Sequence, residues 1–404
     1  MTTFSDPPKA SFRPSMLLSD TRYRSITFQV IALALLVTAI WYLGSNLAAN
    51  LRAAGLNISF QFLGNPAGYD INQTLIPYTS QSSNLQAAWV GIINTLLVSF
   101  LACVTATIFG VIAGVLRLSN NWLVRKLMAG YVEIFRNIPV LIWILIIYTI
   151  MTAAMPAPSA FRGDDPASTM MLGSFAFTNR GVYIPGPVWG PGSMIVVATF
   201  VASIIGVFAY RRYATKLLYD TGRLLPMLWP SVAILFVPAI VVFFIMGMPI
   251  GLDFPALAGF NFRGGIQIGA PLIALWFALS IYTGAFIAEN VRAGIQAVSR
   301  GQSEAAAALG LRPGRVMNLV VLPQALRVII PPLISNYLNI TKNSSLAILV
   351  GYADITATLG GITLNQTGRA IECVVLLMLF YLVISLGISM VMNVYNNATK
   401  LKER

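Results

Sequence analysis

The chain has 404 residues, of which 57% are hydrophobic and 10% are charged, and its mean hydropathy is +0.76. Soluble domains carry about 25% charged residues, so this composition excludes an ordinary soluble protein and indicates an integral membrane protein. The net charge of +13 lies in short clusters between apolar runs, with no basic tract interleaved with aromatics. That pattern suits a membrane surface and argues against a nucleic-acid partner.

The residue types for acid-base catalysis and metal binding are scarce. There is no histidine, and the two cysteines, Cys103 and Cys373, both lie inside apolar runs as buried small side chains. We therefore predict neither a metal site nor catalytic residues. No G-x-x-x-x-G-K-[ST] motif occurs, so the chain lacks the phosphate cradle that ATP binding needs, and any ATP hydrolysis is expected on another chain.

Apolar runs predict an all-α membrane protein with about eight spans. A spanning helix needs about 20 mostly apolar residues, and these runs do not alternate as strands of a closed barrel would. The predicted spans are residues 26–44, 88–116, 138–154 with a possible earlier start at Gly130, 193–210, 230–248, 270–289, 328–350 and 374–393. The first is longer than a signal-peptide core and follows about 25 mostly polar residues, so we expect it to be retained.

Basic residues fix the orientation, because cytoplasmic loops carry an excess of Lys and Arg. With the N-terminus inside, 19 of the 26 basic residues fall on the cytoplasmic side: Lys9, Arg13, Arg22, Arg24, Arg117, Arg125, Lys126, Arg211, Arg212, Lys216, Arg223, Arg292, Arg300, Arg312, Arg315, Arg327, Lys400, Lys402 and Arg404. Outside lie five: Arg52, Arg162, Arg180, Arg263 and Arg369. We expect both termini in the cytoplasm. The outer loops, 45–87 and 155–192, are rich in Pro, Gly, Asn and Ser and are predicted to be irregular.

The loop before the seventh span has an unusual composition, SRGQSEAAAALGLRPGRVMNLVVLP (residues 299–323). A short helix is predicted over 302–309, with Glu304 near its start, where the helix dipole favours an acid. Gly310 is predicted to end that helix, and Pro313 to open a second one. Such a short helix buries little of its own surface, so we expect it to dock into a groove on another protein.

This segment resembles the EAA signature of the membrane subunits of ABC importers, in which it forms the coupling helix that inserts into the ATP-hydrolysing subunit. The resemblance assigns ATPase coupling to the residues that match the signature: Gly301, Gln302, Glu304, Ala305, Ala306, Gly310, Leu322 and Pro323. An ordinary loop helix is the alternative. It would not need the acid, the glycine and the Leu-Pro pair at these offsets.

Further stretches are similar to the polar amino-acid branch of these importers, the histidine and glutamine permease type. They are GYVEIFRNIPVLIW, YTGAFIAENVRAGIQAV, LPQALRVIIPPL and TKNSSLA. The resemblance implies a five-helix permease core in two parts, residues 85–154 and 269–404. Additions to it are a cytoplasmic tail (1–25), an extra helix with its loop (26–84) and a two-helix insertion (155–268) of unknown role. This long architecture resembles the larger membrane subunit of bacterial general L-amino-acid permeases.

The resemblance also implies partners. They are two ATP-binding subunits that hold ATP and Mg, a second membrane subunit, a periplasmic amino-acid-binding protein, and the lipid of the bacterial inner membrane. A sibling chain is implied as the second membrane subunit, and a homodimer stays open. No cofactor is expected on this chain.

Ionisable and polar residues within spans are costly and mark candidate pathway sites. Glu133 and Arg136 are three residues apart, as are Glu289 and Arg292, so each pair either forms an i,i+3 ion pair or contacts a substrate or partner. The remaining candidates are Asn137 and Pro139 in a turn, and Lys342, Asn343, Ser344 and Ser345 in the seventh span. Asn343-Ser344-Ser345 departs from the Asp-Thr-Ser more frequent among relatives, which removes an acid.

Two other classes of function stay open. A secondary amino-acid transporter would also have broken spans with polar residues, but it would need inverted repeats and no coupling segment. A structural membrane scaffold would not need the polar stretch in the seventh span. Co-purification of an ATPase would separate all three.

Overall fold

The computed structural model describes Leu18, residues 21–53, Gly55, residues 58–163 and residues 165–399. The predicted tail over 1–25 lies largely outside these residues, as do Lys400, Lys402 and Arg404. The chain divides into two units, residues 1–61 and 62–404. In the first, helix α1 (Thr21–Ala53) is long and apolar enough to cross a membrane and exposes its apolar side chains all round.

The second unit is mostly helical. Its long helices are α2 (Asn84–Leu116), α3 (Trp122–Asn137), α4 (Val140–Thr149), α5 (Ser193–Thr221), α6 (Leu228–Ile245), α7 (Ala270–Gln296), α10 (Leu322–Asn343) and α12 (Ala370–Thr399). Short helices lie between α7 and α10, namely α8 (Arg300–Ala308) and α9 (Pro313–Val316), and α11 (Leu364–Thr367) precedes α12. The described residues contain seven helices suited to spanning, or eight when α3 and α4 count as one bent span. The predicted fold class is therefore confirmed.

The third predicted span is bent rather than straight. Helices α3 and α4 meet at 104°, and a π-helical turn (Ile150–Ala154) extends α4. The break follows from Pro139, because the residue before a proline avoids the helical region, and Ile138 is indeed extended (φ −105°, ψ 131°). Gly130 lies within α3, which begins after the Asn121 cap; where α3 and α4 count as one bent span, that span starts before residue 138, as the earlier-start alternative allowed.

Helices α2 and α7 form the centre of the core through small residues. A side chain at Gly114 would meet the carbonyl oxygen of Ala288 at 2.7 Å, and one at Gly110 would meet the Cβ of Ile287 at 2.5 Å. Such close backbone approach is how membrane helices gain contact when lipid supplies no hydrophobic drive between them. Buried Leu275 and Leu279 of α7 extend this core toward α4.

The predicted insertion contains a helical hairpin and small sheets. Helices α5 and α6 pack against each other, and α5 continues well past its predicted end at residue 210. On either side of the hairpin in sequence, the described residues form seven short strands: β1 (Ala176–Thr178), β2 (Gly181–Ile184), β3 (Gly186–Trp189), β4 (Ile250–Asp253), β5 (Ala256–Ala258), β6 (Asn261–Arg263) and β7 (Ile266–Gly269). They pair antiparallel as β1-β2-β7, β3-β4 and β5-β6.

The prediction of an irregular loop over 155–192 is thus wrong in part. Pairing joins strands on either side of the α5–α6 hairpin; Tyr183, for example, lies opposite Gln267. Buried Ala176, Tyr183 and Phe262 form a small apolar centre under these strands. Each strand has only three or four residues, and two of the four pairings, β2–β7 and β3–β4, join strands that are distant in sequence, so the local sequence carries little signal.

Candidate coupling and pathway sites

The candidate coupling segment (residues 299–323, called the coupling segment below) forms a compact unit at the end of α7. Helix α8 ends at a turn in which Gly310 has φ +78°, a backbone conformation that side chains with a Cβ rarely adopt. Ala306 of α8 is buried against Val316 and Val321, so the two arms of the coupling segment share one apolar contact. The predicted glycine break and the helix opened by Pro313 therefore agree with the structure.

The position of Glu304 differs from the prediction. Helix α8 begins at Arg300 rather than at residue 302, which places Glu304 in the second turn, and no acid lies in the first turn. The dipole argument for Glu304 is accordingly wrong. The carboxylate is exposed, and so are Ala305 and Leu309, the last with 83% of its side chain accessible. Gly301 and Gln302 are exposed in the first turn of the same helix.

Beyond α9 the chain stays helical into the next span. A π-helical stretch (Met317–Val321) joins α9 to α10, and Pro323 occupies the first turn of α10, where its missing N–H is tolerated. Leu322 is exposed, whereas Val321 beside it is buried. The Leu-Pro pair therefore marks the start of a long helix that runs from the coupling segment into the membrane region.

Glu289 lies at the centre of a charged cluster near that end of the bundle. Its Oε1 accepts hydrogen bonds from Nε (3.2 Å) and Nη2 (2.5 Å) of Arg292, which confirms the i,i+3 pair. Its Oε2 accepts from Arg117 at the end of α2. The pathway role of Glu289 stays a prediction, but the structure shows its carboxylate already occupied by two guanidinium groups.

The second proposed pair does not form. Among the described residues no ion pair joins Glu133 to Arg136; instead the guanidinium carbon of Arg136 lies 5.2 Å from the centre of the Phe286 ring. Glu133 accepts a 3.5 Å hydrogen bond from Asn137. Asn137 and Pro139 are both exposed and stand at the bend between α3 and α4.

The polar run of the seventh span is divided between two environments. Lys342 is exposed, on a face that the rest of the described chain leaves uncovered. Ser344 is fully buried and its hydroxyl donates to the carbonyl oxygen of Thr341 (2.7 Å), while Ser345 donates to that of Lys342 (2.7 Å). The two hydroxyls thus satisfy backbone carbonyls where the α-helix changes to a 3-10 helix (Ser344–Val350), and Asn343 is the last α-helical residue.

Two polar features at the opposite end of α7 were not predicted from the sequence. One is a cavity of about 460 Å³ lined by both core and insertion residues. The other is Asp354, whose side chain is completely buried beside Asn94 and Thr95 of α2. Its Oδ1 accepts from the backbone N–H of Ala357 (2.8 Å), and burial raises the pKa of its carboxyl to about 6. The acid in the otherwise uncharged stretch GYADIT could have indicated that Asp354 is a special residue. No feature of the local sequence indicated the cavity.

The geometry defines a multi-pass helical membrane protein in which the short helix α8 is largely exposed. The model of the family "Binding-protein-dependent transport system inner membrane component" matches residues 194–400, a match that begins inside the predicted insertion. The chain belongs to this family and is a permease subunit of a binding-protein-dependent transport system.

Three curated relatives align with nearly the whole chain, including the N-terminal helix and the insertion. The chain is 50% identical to the glutamate/glutamine/aspartate/asparagine transport system permease protein BztB of Rhodobacter capsulatus, with 100% of each chain covered. It is 43% identical to the general L-amino acid transport system permease protein AapQ of Rhizobium johnstonii, covering 98% of this chain and 96% of AapQ. The putative amino-acid ABC transporter permease protein YhdX of Escherichia coli is 42% identical, with 98% and 99% covered.

Proposed function

We propose that this permease imports L-amino acids at the expense of ATP hydrolysed by separate subunits. The relatives that align with it from end to end carry names for amino-acid transport, and the alignments cover nearly their whole length. Substrate would arrive on a periplasmic binding protein, and two ATPase subunits would hold ATP and Mg on the cytoplasmic side. A second membrane subunit, a sibling chain rather than a second copy, would complete the pathway.

The observation that carries this proposal is the continuity between α8 and the spans. The apolar contact of Ala306 with Val316 and Val321 also includes Ile295 and Val298, from the end of α7 and the turn after it. A displacement of α8 therefore acts on α7 and on α10 together. Further from α8 along α7, Gly294 lies against Ile329 of α10: a Cβ at Gly294 would meet the Ile329 side chain at 2.4 Å, so the two helices are in close contact there.

The exposed surface of α8 suits a docking role. Its small side chains allow close approach, and Leu309 at its end offers an apolar anchor for a groove. When ATP closes the ATPase pair, α8 would move with the groove and carry the ends of α7 and α10 with it. The spans would then change which face of the membrane the pathway opens to.

The test is transport by a purified complex. The tagged chain, expressed together with the proposed partner subunits, should retain an ATPase in detergent. Proteoliposomes that contain the complex should take up L-glutamine only when ATP is inside and the binding protein is outside. Uptake driven by an ion gradient without ATP would identify a secondary transporter and refute the proposal. If the chain enters the membrane normally but no ATPase co-purifies with it, the coupling role would be refuted.

A further inference from the structure

A polar cavity lies at the end of α7 opposite the coupling segment. Its volume is about 460 Å³, within the range of about 300–1,000 Å³ typical of small-molecule sites. Tyr148 and Thr152, at the end of the bent span, form part of its wall, together with Gly351 and Tyr352 in the turn that ends the seventh span. The cavity therefore adjoins the ends of two core spans.

The opposite wall belongs to the predicted insertion. Asn179 and Arg180 come from the turn between β1 and β2, Asn261 from β6 and Gln267 from β7. The insertion thus closes a space that the core alone would leave open. This arrangement gives the insertion a place in the permease at the end of α7 opposite the coupling segment.

The lining has the chemistry of a site for a small charged and polar molecule. Five side-chain amides face it, from Asn72, Gln73, Asn179, Asn261 and Gln267. Among the described residues that line the cavity, Arg180 is the only charged one, and none of them is an acid. A single cation among neutral donors favours a carboxylate, because the carboxylate accepts from the guanidinium and from amide N–H groups.

Hydrogen-bonding capacity remains on both sides of such a ligand. Within the described part of the chain, the Arg180 guanidinium makes one hydrogen bond, to the carbonyl oxygen of Phe260 (3.2 Å), out of the five its N–H groups can make. The buried Oδ1 of Asn179 has no hydrogen-bond partner. A donor cluster and an unsatisfied acceptor thus stand together, as the carboxylate and ammonium of a free amino acid require.

We propose that this cavity binds the free L-amino acid after its release from the binding protein, with Arg180 contacting the α-carboxylate and Asn179 accepting from the ammonium group. The site lies between the external face and the polar run of the seventh span, so the substrate would occupy it before Lys342. This inference rests on the proposed import of amino acids, and its test has a readout that does not depend on transport.

The test is local protection of a cysteine in the cavity wall. Position 267 is exposed, so in a chain with Cys103 and Cys373 replaced by serine, the cysteine introduced by Gln267→Cys should react with an impermeant thiol reagent. L-glutamine should slow that reaction in reconstituted complexes, and should not slow it at Asp165→Cys, an exposed outer-loop position that is not in the lining. Arg180→Gln should raise the glutamine concentration for half protection about ten- to a hundredfold, the loss of one charged hydrogen bond.

Matched variants separate recognition from folding. Arg263→Gln removes an exposed arginine of β6 that is not in the lining and should keep full protection, and Arg180→Lys should keep part of it. A glutamine analogue whose α-carboxylate is replaced by an amide should protect poorly in the parent chain. Its protection should be equally poor in Arg180→Gln. Two results would overturn the site and leave the import function standing. One is that glutamine protects the cysteine at position 267 equally well in Arg180→Gln. The other is that glutamine does not protect this cysteine in the parent chain, although ATP-driven uptake persists. Protection without any ATP-driven uptake would support the site and count against the import mechanism.

Discussion

Arg117, at the end of α2, donates a hydrogen bond to the Glu289 carboxylate of α7, 172 residues further along the chain. Arg292 holds the other oxygen of the same carboxylate. This pair of contacts joins the two predicted parts of the core near the coupling segment. Motion of α7 is therefore transmitted to α2 by charged hydrogen bonds as well as by packing.

Glu289→Gln should destabilise the packing of α2 on α7. Each charged hydrogen bond contributes about 1.5–3 kcal/mol, and the lower end applies because about a quarter of the Glu289 side chain is exposed. We expect a lower thermal midpoint for the detergent-purified complex and loss of uptake in proportion to lost assembly. Glu133→Gln, an exposed carboxylate whose hydrogen bond is 3.5 Å long, is the matched control and should be neutral. Intact assembly with abolished uptake in Glu289→Gln would instead return this residue to the substrate pathway.

Gly310→Val should uncouple the permease from its ATPase. The left-handed conformation at Gly310 costs roughly 1–2 kcal/mol for a residue with a Cβ and more for a β-branched one, so the turn after α8 would change. Gly310→Asn is the matched variant, because asparagine tolerates this conformation. We expect ATPase retention to fall in the valine variant and persist in the asparagine variant, measured by co-purification. Equal retention in both would show that docking does not need this turn.

Glu304→Lys tests the exposed face of α8. The carboxylate is accessible in the second turn, so the reversal should leave the fold unchanged and would repel any basic residue in a partner's docking groove. We expect transport to stop while the chain still inserts into the membrane. Glu304→Gln, which removes the charge without reversing it, should lose less. Full ATP-driven uptake in Glu304→Lys would remove this residue from the docking surface.

The parts of the molecule that the sequence predicted are those set by local physical chemistry. Apolar length predicts the spans, and Gly310 and Pro313 mark the turn and the helix start of the coupling segment because their backbones allow few alternatives. The start of α8 was misplaced by two residues, because a start signal was overlooked: Ser299, a residue type favoured at the N-cap, stands directly before the helix, with Gln302 three residues further on. The predicted span ended at residue 210 because charged residues follow there and end the apolar run. They do not end the helix, and α5 continues to Thr221.

The features that escaped prediction depend on distant residues. The strand pairing of Tyr183 with Gln267 and the wall that Asn179 shares with Tyr148 arise only when the insertion folds over the core. The ion pair of Glu289 with Arg292 was predictable from spacing, whereas its bond to Arg117 required the packing of α2 on α7. Spacing also suggested a pair between Glu133 and Arg136, which the nearby Phe286 ring displaces.

Cysteine labelling should establish the orientation of the chain. In a chain lacking Cys103 and Cys373, a cysteine replacing Asp165 should react with an impermeant thiol reagent added outside, and one replacing Asp220 should not. Both positions are exposed, so accessibility within the fold does not limit either reaction. Permeabilised cells should label both, which controls for reactivity. Labelling of both in intact cells would contradict the predicted eight-span topology.

Asp354 should make stability depend on pH. Burial raises the pKa of its carboxyl to about 6, and its Oδ2 has no hydrogen-bond partner. The folded chain therefore keeps this proton at pH values where the unfolded carboxyl, with a pKa of about 3.9, has lost it. Stability should fall as pH rises from about 4 through 6 and then level off, with a total cost of about 3 kcal/mol above pH 6.

Asp354→Asn isolates this effect, because asparagine cannot ionise and still offers Oδ1 to the N–H of Ala357. The variant should have a higher thermal midpoint than the parent chain at pH 8, and the two should converge near pH 4 as the parent carboxyl becomes neutral. Asp220→Asn, at an exposed position, should show no such pH-dependent difference. Thermal unfolding of the purified chain across this pH range is the measurement. A lower midpoint for Asp354→Asn at pH 8 would mean that the folded protein holds the ionised carboxylate with a stabilising partner, opposite to the effect of burial.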